Sequence, residues 1–287
     1  MEQRALTRVS VGVSVLQADD VEAYLTGHFD SSPVRMETPT GDQAVLDLYF
    51  DDPTEAQVAG AVIQAARDDV TVHVSPVAAK DWTEAWKDHF HPQQVGQRIW
   101  VRAPWHPEAE GIADPVTLTI NPGLSFGTGN HFTTRFCLEW VERLAEEAPG
   151  QPMLDLGTGS AILSIAAAKM GYGPVLGIDH DDMALDAAQD NVADNGVADG
   201  VSLTLMDLSR QWPEGTWPIV FANIYDPLLI EWAPRFYSRS SDWLVLSGIR
   251  APQLDAVAGA YEALGAEEVA RDGDQEWAGL VVRRRGA

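Results

Sequence analysis

The chain has 287 residues, 45% of them hydrophobic, enough for a sizeable core in one large or two modest domains. Lys and Arg number 19 against 43 Asp and Glu, a formal net charge of −24, which argues against a non-specific nucleic-acid binder because such a protein carries a basic face. A single cysteine, Cys137, excludes an internal disulfide and a thiolate metal cluster, and no run approaches the roughly 18 apolar residues of a membrane helix. The first residues lack an apolar signal core, so a cytoplasmic address is expected. The acidity suits attraction to a basic partner protein, and equally suits solubility in a salty cytoplasm.

In chain order, residues 8–16 alternate strictly between apolar and polar and predict a strand. A helical stretch follows from Asp19 to Phe29. Strands are expected at 34–38 and 44–50, on either side of the Pro-Thr-Gly-Asp turn at 39–42, then a helix over 55–67 opened by Asp52 and Pro53, then a strand at 70–74. The order βαββαβ predicts a small ferredoxin-like α+β module over residues 1–78. Residues 79–115 read as a linker. Trp82, Trp86 and Phe90 fall at i, i+4 and i+8 on one helix face and predict a stripe packed between domains; residues 95–101 predict a strand running through Gly96. A strand at 117–120 leads into the glycine-rich stretch 121–134 and a helix over 132–147. The stretch lacks lysine and the Gly-Lys-Ser/Thr ending of a phosphate loop, which removes that reading. His131 has no second ligand at metal spacing and reads as a hydrogen-bonded loop histidine, and no metal site is expected. Cys137 sits in an apolar helical pattern and reads as a small buried thiol.

Residues 152–179 form the centre of the chain. A short apolar run ends in Asp155, Gly157 and Gly159 follow, a small-residue helix pattern spans 160–170, and a second apolar run ends in Asp179. This is the opening βαβ unit of a nucleotide-binding sheet. The glycines let the backbone approach a ligand where a Cβ would collide. Asp179, at a strand tip, is placed to accept hydrogen bonds from a ribose diol. The third glycine of a dinucleotide fingerprint is absent, with Ala161 two and Ile162 three residues after Gly159, and Asp155 has the wrong charge beside a pyrophosphate. An acid there suits a cation such as the amino group of S-adenosylmethionine, and Asp-x-Gly-x-Gly resembles the first motif of class I methyltransferases.

Further strands are expected at 201–206, ending in Asp207, at 217–222, ending in Asn223, and at 243–248, with helices between them and a terminal strand pair at 267–271 and 277–284. Alternating β and α with a final antiparallel pair predicts an α/β, doubly wound, mostly parallel seven-stranded sheet over residues 116–287. Ligands of such sheets sit at the C-terminal strand ends, where Gly157, Asp179, Asp207 and Asn223 fall.

Asn-Pro-Gly-Leu-Ser-Phe-Gly-Thr-Gly-Asn-His-Phe-Thr-Thr at 121–134, Asp-Leu-Gly-Thr-Gly-Ser-Ala at 155–161, Gly-Ile-Asp at 177–179, Ala-Asn-Ile at 222–224 and Leu-Ser-Gly-Ile at 246–249 together resemble the ribosomal protein L11 methyltransferases. The run from Trp82 to Gly96 is similar to the segment before that family's catalytic domain. The resemblance implies S-adenosylmethionine as cofactor, with Thr134, Gly157, Asp179 and Asn223 at cofactor-contacting positions. It also implies that the loop 125–131, with Phe126, Gly127, Thr128 and His131, covers the methionine end. The N-terminal module would recognise the substrate, ribosomal protein L11, whose lysine side chains and terminal amine this family methylates. Asn223 is the expected catalytic residue, aiming the amine lone pair by a hydrogen bond. The chain departs from the family at Ala161, where a third glycine is usual, and at 225–228, which reads Tyr-Asp-Pro-Leu. Asp226 either holds an incoming cationic lysine or caps the helix opened by Pro227. These departures leave open a module that binds cofactor but has lost catalysis. The missing glycine and Asp155 disfavour a nicotinamide-dependent oxidoreductase.

Overall fold

The computed structural model describes residues 6–29, 33–37, 43–67, 69–77, 91–121 and 131–285. Its internal contacts divide the chain into two units, Met1–His89 and Phe90–Ala287.

In the first unit, β1 (Leu6–Ser14), β2 (Val34–Glu37), β3 (Gln43–Phe50) and β4 (Thr71–Val77) form one sheet in the order β2-β3-β1-β4, with every adjacent pair antiparallel. The alternation that predicts β1 is what pairs it: Val9, Val11 and Val13 turn to one face and are buried against Leu25 and Ile63 of the helices Val15–His28 and Pro53–Ala66. The second helix starts where the sequence places it, because Asp52 accepts a hydrogen bond from the Thr54 N–H at 2.7 Å and Pro53 needs no partner in the first turn. The tryptophan stripe expected at 82–90 lies outside the described residues.

In the second unit, Val95 and Ile99 belong to two strands rather than one. β5 (Gln93–Val95) and β6 (Ile99–Arg102) are antiparallel, and β7 (Val116–Thr119) pairs with β6 in parallel. Gly96 takes φ +62° at the corner, where a chain continuing as a strand cannot go. The expected linker is therefore partly structure of this unit: Val95, Ile99, Val101 and Leu118 are buried in the same cluster as Phe136, Leu138 and Leu144 of the helix Phe132–Glu147. Glu142 of that helix closes the hairpin, accepting the N–H groups of Gln97 and Arg98 at 2.7 Å each.

The main sheet has seven strands in the order β10-β9-β8-β11-β12-β14-β13. β8 (Met153–Leu156), β9 (Val175–Asp179), β10 (Val201–Leu205), β11 (Trp217–Asn223) and β12 (Ser240–Arg250) run parallel, while β14 (Trp277–Arg284) inserts antiparallel between β12 and β13 (Ala266–Gly273). All four residues of β8 are buried, as a central strand covered on both faces requires. One core holds the helices Phe132–Glu147, Ile162–Lys169 and Asp182–Asp194. A second core, on Leu154, Val220 and Leu246, holds Asp226–Glu231, Ala233–Arg239 and Leu254–Glu262. The chain winds outward from β8 through β9 to β10 and then returns to β11 on the other side of β8, opening a crevice at the strand tips between β8 and β11. Among the described residues no helix is long and apolar enough to cross a membrane.

Replacing Glu142 leaves two backbone N–H groups at the β5–β6 corner without their charged acceptor. Glu142→Ala is expected to cost about 3 kcal/mol, since a hydrogen bond to a charged group contributes roughly 1.5–3 kcal/mol. Urea unfolding monitored by tryptophan fluorescence measures the loss.

Candidate active site

The C-terminal ends of β8, β9, β10 and β11 surround a cavity of about 460 Å³. Thr134, Gly157, Gly159, Asp179, Asp207 and Asn223 line it, so residues spread over ninety positions of sequence meet at the switch point. Each arrives by a backbone reason. Gly157 takes φ +76°, and a Cβ on it would come to 2.6 Å from Ile224 Cγ2. Gly159, at φ +52°, turns its N–H to Asp179 Oδ2 at 2.9 Å. Asp179 ends β9 and also accepts the N–H groups of His180 at 2.7 Å and Asp181 at 3.2 Å through Oδ1. Its carboxylate is thereby held in one orientation, with Oδ2 carrying a single bond from the glycine turn. Asp207 stands just past β10. Hydrogen bonding from Ser209 holds its carboxyl below the usual range.

The rest of the wall is mostly apolar: Ile162, Leu163, Ile178, Met206, Leu208, Ile224, Leu228 and Trp232, with Thr158, Tyr225 and His180. Of these, sequence reasoning reaches only Tyr225 and Leu228, through the departure from the family at 225–228; the rest escape it, because an apolar side chain that lines a cavity and one that fills a core look alike in a periodic pattern. The rule that could have found Met206, Leu208 and Ile224 is their position immediately past the ends of parallel strands.

Two expected contacts do not reach the cavity in the structure. Asp155 is buried behind the glycine turn and is not part of the cavity wall. Its Oδ2 accepts the hydroxyls of Thr158 and Ser164, both at 2.7 Å, while Oδ1 is buried with no partner among the described residues. The acid braces the turn from below rather than facing a cation. His131 caps the helix Phe132–Glu147, with Nδ1 2.8 Å from the Thr133 hydroxyl and its ring edge-on to Trp277. Phe126, Gly127 and Thr128 lie outside the described residues. Cys137 is fully buried, and burial pushes its thiol well above the ordinary range.

Ala161 is the residue before the helix Ile162–Lys169 and takes φ +62°, ψ +19°, the left-handed conformation that favours glycine. The strain costs an alanine about 1 kcal/mol. Against it, the methyl is fully buried, which contributes about 0.8 kcal/mol. Alanine also has the stiffer unfolded chain, a further gain of roughly 0.5 kcal/mol. The terms nearly cancel, so the departure from a third glycine leaves the turn intact.

A seven-stranded sheet of this order, with a glycine turn after its first strand and a cavity at the switch point, defines a class I methyltransferase. Residues 4–285 match the family model described as Ribosomal protein L11 methyltransferase (PrmA). A ribosomal protein L11 methyltransferase of Aeromonas hydrophila subsp. hydrophila is 35% identical over 287 residues, covering 98% of this chain and 92% of that protein. One from Myxococcus xanthus is 35% identical over 246 residues, covering 86% and 84%. The crystal structure of a ribosomal protein L11 methylase from Lactobacillus delbrueckii subsp. bulgaricus matches with a TM-score of 0.62 at 28% identity, over 68% of this chain and 100% of that one. The chain belongs to the ribosomal protein L11 methyltransferase family.

Burial of Asp155 pushes its carboxyl up to about 6, against the two hydroxyl bonds that lower it. In the unfolded chain an aspartate titrates near 3.9. Below about pH 4 both states keep the proton; as pH rises toward 6 the unfolded chain ionises first, so stability falls across that window and levels off above it. A shift of about two units corresponds to roughly 3 kcal/mol. Asp155→Asn is expected to flatten the stability profile between pH 4 and 6, read from urea midpoints at several pH values. Ala161→Gly is expected to change stability by less than about 1 kcal/mol by the same measurement.

Proposed function

We propose that this enzyme transfers methyl groups from S-adenosylmethionine to lysine side-chain and terminal amines of ribosomal protein L11. The observation that carries the reading is the convergence of Gly157, Asp179 and Asn223 on one cavity at the switch point. The cavity suits the cofactor in size, since small-molecule sites run to roughly 300–1,000 Å³. It suits it in chemistry too. Asp179 presents a fixed carboxylate to a ribose diol, and Ile178, Met206 and Leu208 offer apolar cover for an adenine ring. The space beside Gly157 is one a Cβ would narrow. Thr134 Oγ1, buried without a partner among the described residues, is a further polar atom beside the same space.

When bound, S-adenosylmethionine supplies a methyl group on a sulfonium, open to in-line displacement by an amine. The residues of the chain do the rest by positioning. Asn223, at the tip of β11, accepts a hydrogen bond from the amine through its side-chain oxygen and aims the lone pair. The attacking amine must be neutral, while a free lysine titrates near 10.4. The apolar wall of Ile224 and Leu228 strips water from the incoming amine and lowers that value, so no strong base is required. Asp207 and Gly159 complete the cofactor side, with the loop 125–131 assigned to its methionine end by family resemblance. In this reading residues 1–78 recognise the protein substrate, and the second unit, whose core includes Val95, Ile99 and Val101 of the expected linker, carries catalysis. The formal charge of −24 favours encounter with a basic protein.

Calorimetric titration with S-adenosylmethionine is expected to give a dissociation constant in the micromolar range, and Gly157→Val to abolish it, because Gly157 has both a positive φ and no room for a side chain. Absence of wild-type binding removes the reading. Incubating purified L11 with radiolabelled cofactor separates an enzyme from a module that only binds: labelled L11 is the expected outcome. Asn223→Ala is expected to lower kcat by about 100-fold, the scale on which misplaced reactants slow a reaction.

A further inference from the structure

The segment after Asn223 builds something that cofactor binding does not require. Tyr225 lines the cavity and yet is 55% exposed, among the most exposed large hydrophobic side chains of the described residues. Arg250, at the end of β12, lies with its guanidinium carbon 5.3 Å from the centre of the Tyr225 ring. Asp226 holds that guanidinium with both oxygens, Arg250 Nε to Oδ1 at 3.1 Å and Arg250 Nη2 to Oδ2 at 3.2 Å, and is itself buried, at 1% exposure. A buried carboxylate whose two oxygens are committed to an arginine is not available to an incoming lysine, which removes that role for Asp226. It is not the helix cap either: the residue before the helix Asp226–Glu231 is Tyr225, which makes no side-chain capping bond.

We propose that Tyr225 is a specificity-determining residue for the acceptor: its ring forms a wall for the acceptor nitrogen at the cavity rim, held in place by Asp226 and Arg250 as positioning residues. The proposal rests on the methyltransferase reading above. Its chemistry follows from the charge balance of the transfer. The nitrogen lone pair forms the new N–C bond, the electrons of the broken C–S bond stay on sulfur, and the positive charge passes to the nitrogen. That nitrogen must lose a proton to solvent before it accepts another methyl. A partly methylated ammonium is bulky, weakly hydrated and attracted to an aromatic face. A ring beside the reacting nitrogen keeps such a product at the site for the next transfer. Arg250 on the ring would weaken this attraction if its charge stood alone. Asp226 neutralises it, leaving the exposed part of the ring for the substrate cation. Ile224 N–H also donates to the Ser247 carbonyl at 3.1 Å, which ties the segment that carries Tyr225 to the strand that carries Arg250.

Two measurements on the full chain test this. In the first, Nε-trimethyl-lysine amide and its uncharged tert-butyl isostere are titrated into the protein in the presence of S-adenosylhomocysteine. Wild type is expected to prefer the cation by about threefold or more, a preference that Tyr225→Ala loses and Tyr225→Phe keeps. Equal binding of the two probes by wild type, or loss of the preference in Tyr225→Phe, overturns the proposal. This readout needs no protein substrate, so it stands if L11 proves to be the wrong acceptor. In the second, Tyr225→Ala and Arg250→Met are expected to raise KM for L11 about threefold to tenfold and to shift intact masses toward monomethylated product. The calorimetric cofactor dissociation constant stays within about twofold. An unchanged methyl distribution, or a cofactor affinity that falls in step with KM, counts against it.

Discussion

Ile224 sits where two parts of the sheet close on it. From one side comes the turn after β8, where only a hydrogen at Gly157 keeps clear of the Ile224 side chain. From the other comes the end of β12, where Gly248 takes φ +79° and a Cβ would overlap the Ile224 carbonyl. Both glycines are needed because the chain approaches Ile224 more closely than any side chain allows. The cofactor-side turn and the acceptor-side segment are thereby fixed relative to each other through one residue. Ile224 is flanked by Asn223 and Tyr225, so clamping it sets the wall on which the amine is aimed. A reaction that depends on alignment rather than on a strong acid or base needs such a clamp more than it needs reactive groups.

Two aspartates at strand tips show how the surroundings decide a carboxylate's role. Asp179 ends β9 and meets three backbone N–H groups, which hold its carboxyl in one orientation at the cavity wall. Asp155, three residues before Thr158, meets two hydroxyls and no cation among the described residues, and burial favours its neutral form. One lines the cavity, where the proposed cofactor's ribose would meet it. The other is an internal strut whose ionisation weakens the fold, a cost accepted because its hydroxyl partners set the glycine turn from beneath.

The sequence displays periodicity and backbone need well, and side-chain direction poorly. Gly157, Asp179 and Asn223 are legible because each stands at a strand end, and the winding order then forces those ends together. The seven-stranded sheet is legible for the same reason. The direction of Asp155 is not legible, because a position two residues before a glycine does not say which way the carboxylate turns; the hydroxyls of Thr158 and Ser164 decide it, and Ser164 lies nine residues away. The β5–β6 corner is hidden in the sequence because Val95 and Ile99 keep an apolar pattern across a turn. The acceptor that stabilises the corner, Glu142, comes from a helix 45 residues further on. Apart from the 225–228 segment, the apolar cavity wall is not legible, because burial in a core and cover for a ligand use the same residues.

The pairing of Asp226 with Arg250 belongs to this last class of long-range fact, and it changes what the 225–228 segment means. Seen as sequence, an acid three residues after Asn223 invites a role in attracting lysine. A carboxylate with access to solvent would do that, at the price of stabilising the protonated amine, which cannot attack. Burying the acid against an arginine removes its net field from the rim and leaves aromatic and apolar surface there. That surface tolerates both the neutral amine needed before transfer and the diffuse cation formed after it. A carboxylate at the rim would favour only the second. The departure in this segment is thus consistent with an active transferase: the added charges cancel each other, and what they leave at the rim is the ring they hold.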